Sequence, residues 1–572
     1  MAQVLRICFE KANKSEAGQV FGIADFLATV AIFVVAYSLS DAKYKFRNAV
    51  TRVSYRTILF YSTLVGGVAL IVSNAVFALE LPIPRALNNP LYFQIIIAAI
   101  FIGVIAYWMF KSFVRPPIFT KFNAVPFAQE VFRCIADGDQ TELAACVNEV
   151  GRSARGLLRE ASRTETRRAI HAGGIEHYAP TSAKIASDIL LLIGDRRFCR
   201  MVASRMPWVA VEIFRAAGEL DGDVRRLAQF SRNVSDEFFA DPESAIHHED
   251  DGYYSGLIGY LKPVSSALYG NSKLIERLSD AGGSPLHLLW LRSDQWSIKS
   301  WKTYNEAVLL YLESKLKRGK GTYVATDLYQ VFSGYRSLCR DLYLVNGMDD
   351  GEYYSSLAYQ KFYEIVDFVR EVLALLQKYN VTADPYPSMH DGHFFPDDIY
   401  DHLVDISLDL FSSAGSVDTP DFRNWVVQHN TLWSKLMAES DENYALDIYR
   451  KRLQRVLWSE LSDLSRLPNF VSARILAVCL NVLGFRTDHD VHMPKRTRAF
   501  KRLILGWTKR NFLTLHSKYP SVAQSCIGGT ITFDKDGGQL VKTYSSYFDK
   551  EPTREYLTLD PASGAVDSLG QQ

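Results

Sequence analysis

Apolar positions along the chain follow two regimes. In the first 113 residues they run almost without interruption, from Phe21 to Leu39, from Ile58 to Leu79 and from Leu91 to Phe110. Each run approaches or exceeds the roughly 20 residues that a helix needs to cross a hydrocarbon core about 30 Å thick. From about residue 128 onwards the apolar positions instead recur with a helical period. Phe362, Ile365, Val366, Val369, Val372, Leu373 and Leu376 mark one face, and Lys361, Asp367, Arg370 and Glu371 lie off it. Tyr304, Val308, Tyr311 and Leu312 mark another, on a helix expected to end at Lys315, Lys317 and Arg318 before Gly319. A strand pattern is confined to the end of the chain. There 530–533 and 539–544 flank Asp534-Lys535-Asp536-Gly537-Gly538, which reads as a hairpin around an ordinary glycine-bearing turn.

This pattern predicts an all-α membrane protein: three N-terminal transmembrane helices, then a large, mainly α-helical cytoplasmic domain with a short C-terminal β-hairpin. The predicted order is an N-terminal segment at 1–20 and a three-helix anchor at 21–113. A linker at 114–127, broken by Pro116, Pro117 and Pro126, leads to a helical cytoplasmic domain at 128–385. A second helical part at 386–525, a hairpin region at 526–560 and a disordered tail at 561–572 complete it.

Charge gives the expected orientation. Lys43, Lys45, Arg47, Arg52 and Arg56 lie between the first two runs, Arg85 alone lies between the second and third, and Lys111, Arg115 and Lys121 follow. Positive charge collects on the cytoplasmic side, which puts the N-terminus outside and the C-terminal bulk inside, with a bacterial inner membrane as the expected location. Arg6, Lys11 and Lys14 near the N-terminus weigh against this orientation. In the second run Ser62, Gly66, Ala69 and Ser73 form a stripe of small residues, as do Ala99, Gly103 and Ala106 in the third. Such stripes let helix backbones approach closely, within one chain or between chains. Asp25, at the outer end of the first run, suits a capping role.

Composition narrows the classes without naming one. The hydrophobic fraction of 48% conceals the anchor, and a net charge of +1 gives no reason to expect nucleic acid. Seven scattered cysteines without a CxxC argue for reduced thiols rather than a disulfide scaffold. The sequence has no GxxxxGK[ST] loop, GxSxG elbow, HExxH motif or kinase set, which sets aside the corresponding enzymes.

Two constellations carry chemistry. His390-Asp391-Gly392-His393 and His489-Asp490-Val491-His492 share the form HDxH, and imidazole with carboxylate would suit a divalent metal if the two loops met. The second is a basic amphipathic helix, with Lys495, Arg496, Arg498, Lys501, Arg502, Lys509 and Arg510 uninterrupted by any acid, and Phe500, Leu503, Ile504 and Trp507 at helical spacing. It suits anionic headgroups or an acidic protein surface. Asp401, Asp405 and Asp409 offer an acidic stripe that could pair with it internally. The leading expectation is therefore a non-catalytic scaffold, sensor or effector, whose partners are the lipid bilayer and a protein or a second copy. No cofactor is expected in that reading. The alternatives are a metal-dependent, phosphoesterase-like hydrolase using the two HDxH loops, and an oligomeric pore gated by the soluble part.

Overall fold

The computed structural model describes residues 9–11, 22–38, 41–51, 55–84, 90–110, 116–171, 181–220, 222–249, 254–255, 259–289, 293–319, 324, 326–336, 338–349, 351–390, 393–418, 421–437, 443–487, 490, 493–544 and 552–561. The chain is mostly helical and forms two compact units, residues 1–237 and 238–572.

In the first unit, the three apolar runs become the helices Ile23–Ser38, Tyr55–Ala78 and Pro90–Met109. Among the described residues one stretch, Phe60–Ala78, is long and apolar enough to cross a membrane, while Ile23–Ile32 and Leu91–Tyr107 are shorter apolar helices. Their side chains mostly point outward: Ile32 is 71% exposed, Val65 63% and Ile100 63%. Contacts between them include a small cluster of Phe26, Leu70 and Phe101 and, further along, Phe77 meeting Phe93 edge-on at 5.8 Å. Gly66 makes room for it, since a Cβ there would sit 3.1 Å from the Phe26 ring.

The polar segment between the first two runs is itself helical, Ala42–Ala49, and buries Phe46, Arg47 and Asn48. It packs on the Gln140–His171 helix. Phe46 meets Phe127 edge-on at 5.6 Å, and Arg47 pairs with the buried Glu149 at 2.8 Å. At the other ends of the apolar helices, Phe9–Lys11 pairs antiparallel with Pro82–Pro84, Glu10 lying opposite Ile83. After the proline-bearing linker, Asn123 accepts the Thr120 N–H at 2.7 Å, just before the Ala124–Ala136 helix.

In the second unit, the periodic stripes all turn inward. Tyr304, Val308, Tyr311 and Leu312 on the Ile298–Lys317 helix are buried, and so is the whole Phe362–Leu376 face of the Leu357–Lys378 helix. Tyr335 stacks on Phe368 at 4.6 Å between them. The first of these helices ends as expected, Gly319 adopting φ 69° after the last-turn cations. A second layer holds the helices Ile399–Ala414, Tyr444–Asp463, Phe470–Leu483 and Lys495–Lys518. The C-terminal hairpin forms from Ile531–Asp534 and Gln539–Tyr544, and Thr553–Thr558 adds a third antiparallel strand. In its turn, Asp534 accepts the Gly537 N–H at 3.0 Å and Gly538 takes φ 60°.

Candidate functional site

The first HDxH segment is the tip of a small hairpin held at its base by arginines. Arg452, nearly fully buried on the Tyr444–Asp463 helix, donates to Asp398 at 2.7 Å, to Asp401 at 2.8 Å and to the Asp384 carbonyl at 2.6 Å. Arg455, one turn on, donates to the Pro385 carbonyl and lies 3.8 Å from the Tyr386 ring centre. Between these anchors Met389–His390 pairs with His393–Phe394, placing His390 directly opposite His393. Asp391 and Gly392 lie outside the described residues. Both histidines are exposed. The two imidazoles of the motif thus become cross-strand neighbours.

Of the second HDxH segment, His489 and His492 lie outside the described residues. Asp490 is buried, and its carboxylate accepts from Lys501 at 2.8 Å. Lys501 also donates to the Arg486 carbonyl. A predicted metal ligand and a predicted surface cation thus neutralise each other, because two buried charges hold best as a pair. Among the described residues no group of three or more His, Cys, Asp or Glu side chains is placed to hold a metal ion.

The basic helix forms over Lys495–Lys518, and its residues divide by face. Phe500, Ile504 and Trp507 are buried with Lys501, whereas Leu503 is 48% exposed. Arg496 pairs with Asp447 at 3.0 Å, and Arg498 donates to the Met493 carbonyl at 2.9 Å. Lys495, Arg502, Lys509 and Arg510 are exposed, Arg510 donating to the Gly506 carbonyl at 3.0 Å. The acidic stripe finds other partners: Asp401 takes Arg452, and Arg336 takes Asp405 at 3.0 Å and Asp409 at 3.6 Å. Burial between Tyr329 and Phe332 pushes His402, on the same helix, down to about 4.

The small stripes also divide. Gly66 meets Phe26, Ser73 is buried, and Ser62 and Ala69 line an apolar groove of about 430 Å³ between the second and third apolar helices. Ala99, Gly103 and Ala106 are exposed, and a Cβ on Gly103 would meet nothing within 4 Å. The third helix instead packs through Ile97, Phe101 and Ile105. Asp25 accepts the Gly22 N–H at 2.9 Å, a capping contact at the start of its helix.

One polar centre has no signature in the sequence. Lys542 is almost fully buried on the central strand of the sheet, 5.7 Å from the Trp425 ring and 4.5 Å from the Tyr544 ring. It donates to the Asn481 carbonyl, and burial lowers its ammonium to about 8. Glu555, on the neighbouring strand, accepts the Phe485 N–H at 2.6 Å. Gly484, at φ 66°, permits this approach: a Cβ there would lie 2.9 Å from the Tyr544 hydroxyl. Below it, Asn481 donates to Gln428 at 2.9 Å on a π-helical stretch, Val426–Trp433. Such stretches are rare and are found mostly at functional sites. The Lys542 amine is nonetheless enclosed, and the centre's visible work is to join the sheet to the helices. No known protein family matches this chain, and no curated protein is similar to it in sequence.

Proposed function

We propose that this protein is a membrane-anchored scaffold, sensor or effector, held in the bilayer by three N-terminal spans and acting through contacts of its helical C-terminal part. The observation that carries this reading is how the first unit pairs across its apolar helices. Residues 9–11 pair with 82–84, and Arg47 pairs with Glu149. The first pair ties the N-terminal segment to the connection between the second and third apolar helices. The second ties the connection between the first and second to the helices that follow the third. Three crossings in alternating direction put those two sets on opposite faces of a membrane.

The outward apolar faces support the same reading. In water, residues such as Phe60, Val65, Ile71 and Ile102, each more than half exposed, would form a patch far larger than a soluble surface tolerates. Lipid removes that cost. The first helix, at 16 residues about 24 Å long, is short for a full core and suits a locally thinned or tilted arrangement. With Lys43 and Lys45 in the second set, the charge rule assigns that set to the cytoplasm of a bacterial cell. The helical second unit exposes Tyr343, Leu344, Tyr354 and Leu357 by 42–54%, a surface suited to a protein partner. The exposed cations Lys495, Arg502, Lys509 and Arg510 suit an anionic one.

Alkaline carbonate extraction of membranes from cells producing the full chain tests the anchoring. The protein is expected to stay with the pelleted membranes. Release into the supernatant would reduce the apolar helices to a peripheral contact and remove the reading.

A further inference from the structure

A cleft of about 220 Å³ runs between the Tyr444–Asp463 and Lys495–Lys518 helices, lined by Lys451, Gln454, Arg455, Trp458, Arg496 and Leu503 among others. Among the described residues its charge does not balance. Asp447 is the carboxylate shared by Lys451 at 2.5 Å, Arg496 at 3.0 Å and Arg450 at 3.8 Å. Arg455 is fixed by the Pro385 carbonyl and the Tyr386 ring, neither of which carries a negative charge. The wall contributed by the Lys495–Lys518 helix holds no acid at all.

That helix sharpens the imbalance. Its first two turns carry Lys495, Arg496, Arg498 and Lys501, and Pro494 at the N-cap provides no side-chain cap. A helix N-terminus already has a partial positive charge of about half a unit, so cations there work against the backbone dipole. A local rule broken without a visible gain marks a place where another requirement holds the residues. Lys501 has its answer in Asp490; among the described residues Arg496 and Lys451 share one carboxylate, Asp447, and Arg455 has none.

We propose that this cleft binds a phosphoryl group attached to an apolar or planar moiety. Arg455 and Arg496 supply charge-assisted donors from opposite walls, and their forked guanidinium groups match phosphate oxygens. Lys451 is long enough to turn from Asp447 to the anion. Trp458 and the half-exposed Leu503 cover whatever carries the phosphate. A lipid headgroup and a soluble phosphate ester present the same chemistry to these residues. The inference goes beyond the anchoring reading and does not depend on it.

The test uses the full chain and two probes. Inorganic pyrophosphate is titrated calorimetrically against protein in phosphatidylcholine nanodiscs, and retained phosphatidic acid is counted by native mass spectrometry after transfer to detergent. Arg455→Gln with Arg496→Gln is expected to weaken binding at least about tenfold, as loss of two charged donors should. Because Arg455 also steadies the loop at Pro385, Lys451→Gln with Arg496→Gln is the second variant and should weaken it comparably. Arg215→Gln, at an exposed cation of the first unit paired with Glu212, should leave it unchanged. Pyrophosphate binding with this sensitivity assigns a soluble ester; retention of phosphatidic acid alone, with the same sensitivity, assigns a lipid. Absence of both, or binding that survives in both double variants, overturns the proposal.

Discussion

The Tyr55–Ala78 and Leu357–Lys378 helices are similar in length, 24 and 22 residues, and bury their apolar side chains in opposite ways. On the first, Phe60, Val65 and Ile71 are 62%, 63% and 58% exposed; on the second, Phe362, Val366, Phe368 and Val369 are fully buried. The difference is one of arrangement. The first helix is apolar on every side, so packing against two neighbours still leaves most of it outside. The second is striped, with Lys361, Asp367, Arg370 and Glu371 on its other side, so one contact face suffices. A helix apolar all round needs either a complete protein shell or lipid, and the described residues do not form such a shell around it.

The largest expected effects lie on the buried side of that comparison. Phe368→Ala should cost about 3–5 kcal/mol, through lost transfer energy and the cavity left against Tyr335. Phe60→Ala should change the unfolding midpoint in detergent far less, by under about 1 kcal/mol, because no protein cavity opens. Equal losses in thermal unfolding would break the contrast. Arg452→Met should also cost about 3–5 kcal/mol, since it strands the fully buried Asp401 carboxylate. Arg47→Met is the milder counterpart in the first unit, where it leaves the buried Glu149 to Arg152 at 3.7 Å. Urea titrations of each variant would show a cost near zero if these pairs were incidental.

A smaller effect depends on pH. His402 titrates near 4 when folded because burial disfavours its cation, against an ordinary value near 6.5. The unfolded chain therefore binds more protons between these values. The histidine's contribution is whole above pH 6.5 and is lost as pH falls towards 4. Asp405, raised to about 6 by burial, acts in the opposite sense: its contribution is present at low pH and lost as pH rises through 6. Replacing the histidine, His402→Phe, should reduce the acid-side loss of stability by about 1–3 kcal/mol, read as the difference in urea midpoints at pH 6.5 and 4.5. An unchanged difference would contradict the assignment. The smallest effect is expected at the exposed cation Lys509, where Lys509→Gln should stay within about 0.5 kcal/mol.

What was legible in the sequence followed the same division. Apolar period placed the buried faces at 304–312 and 362–376, and turn chemistry placed the 534–538 hairpin, because each is set by neighbours close in sequence. Pairings distant in sequence were hidden. Nothing local announces that Lys501 will meet Asp490 or that Arg452 will gather Asp384, Asp398 and Asp401. The third strand at 553–558 was missed for a related reason: its partner is a central strand whose core-facing positions include Lys542. Gly66, in one stripe of small residues, lies against Phe26, yet the same spacing at Ala99, Gly103 and Ala106 points outward. Spacing tells which residues share a face; it does not tell what that face meets.

The central claim is that residues 9–11 and 82–84 lie on one side of a membrane, and 42–50 with the helices after residue 124 on the other. Single cysteines at Lys11, Ile83, Lys45 and Lys121, in a background with all seven native cysteines replaced by alanine, test it with a membrane-impermeant maleimide on intact cells. The account predicts labelling at positions 11 and 83 before permeabilisation, and at 45 and 121 only after it. Labelling of positions 11 and 45 together, or of 83 and 121 together, would contradict it.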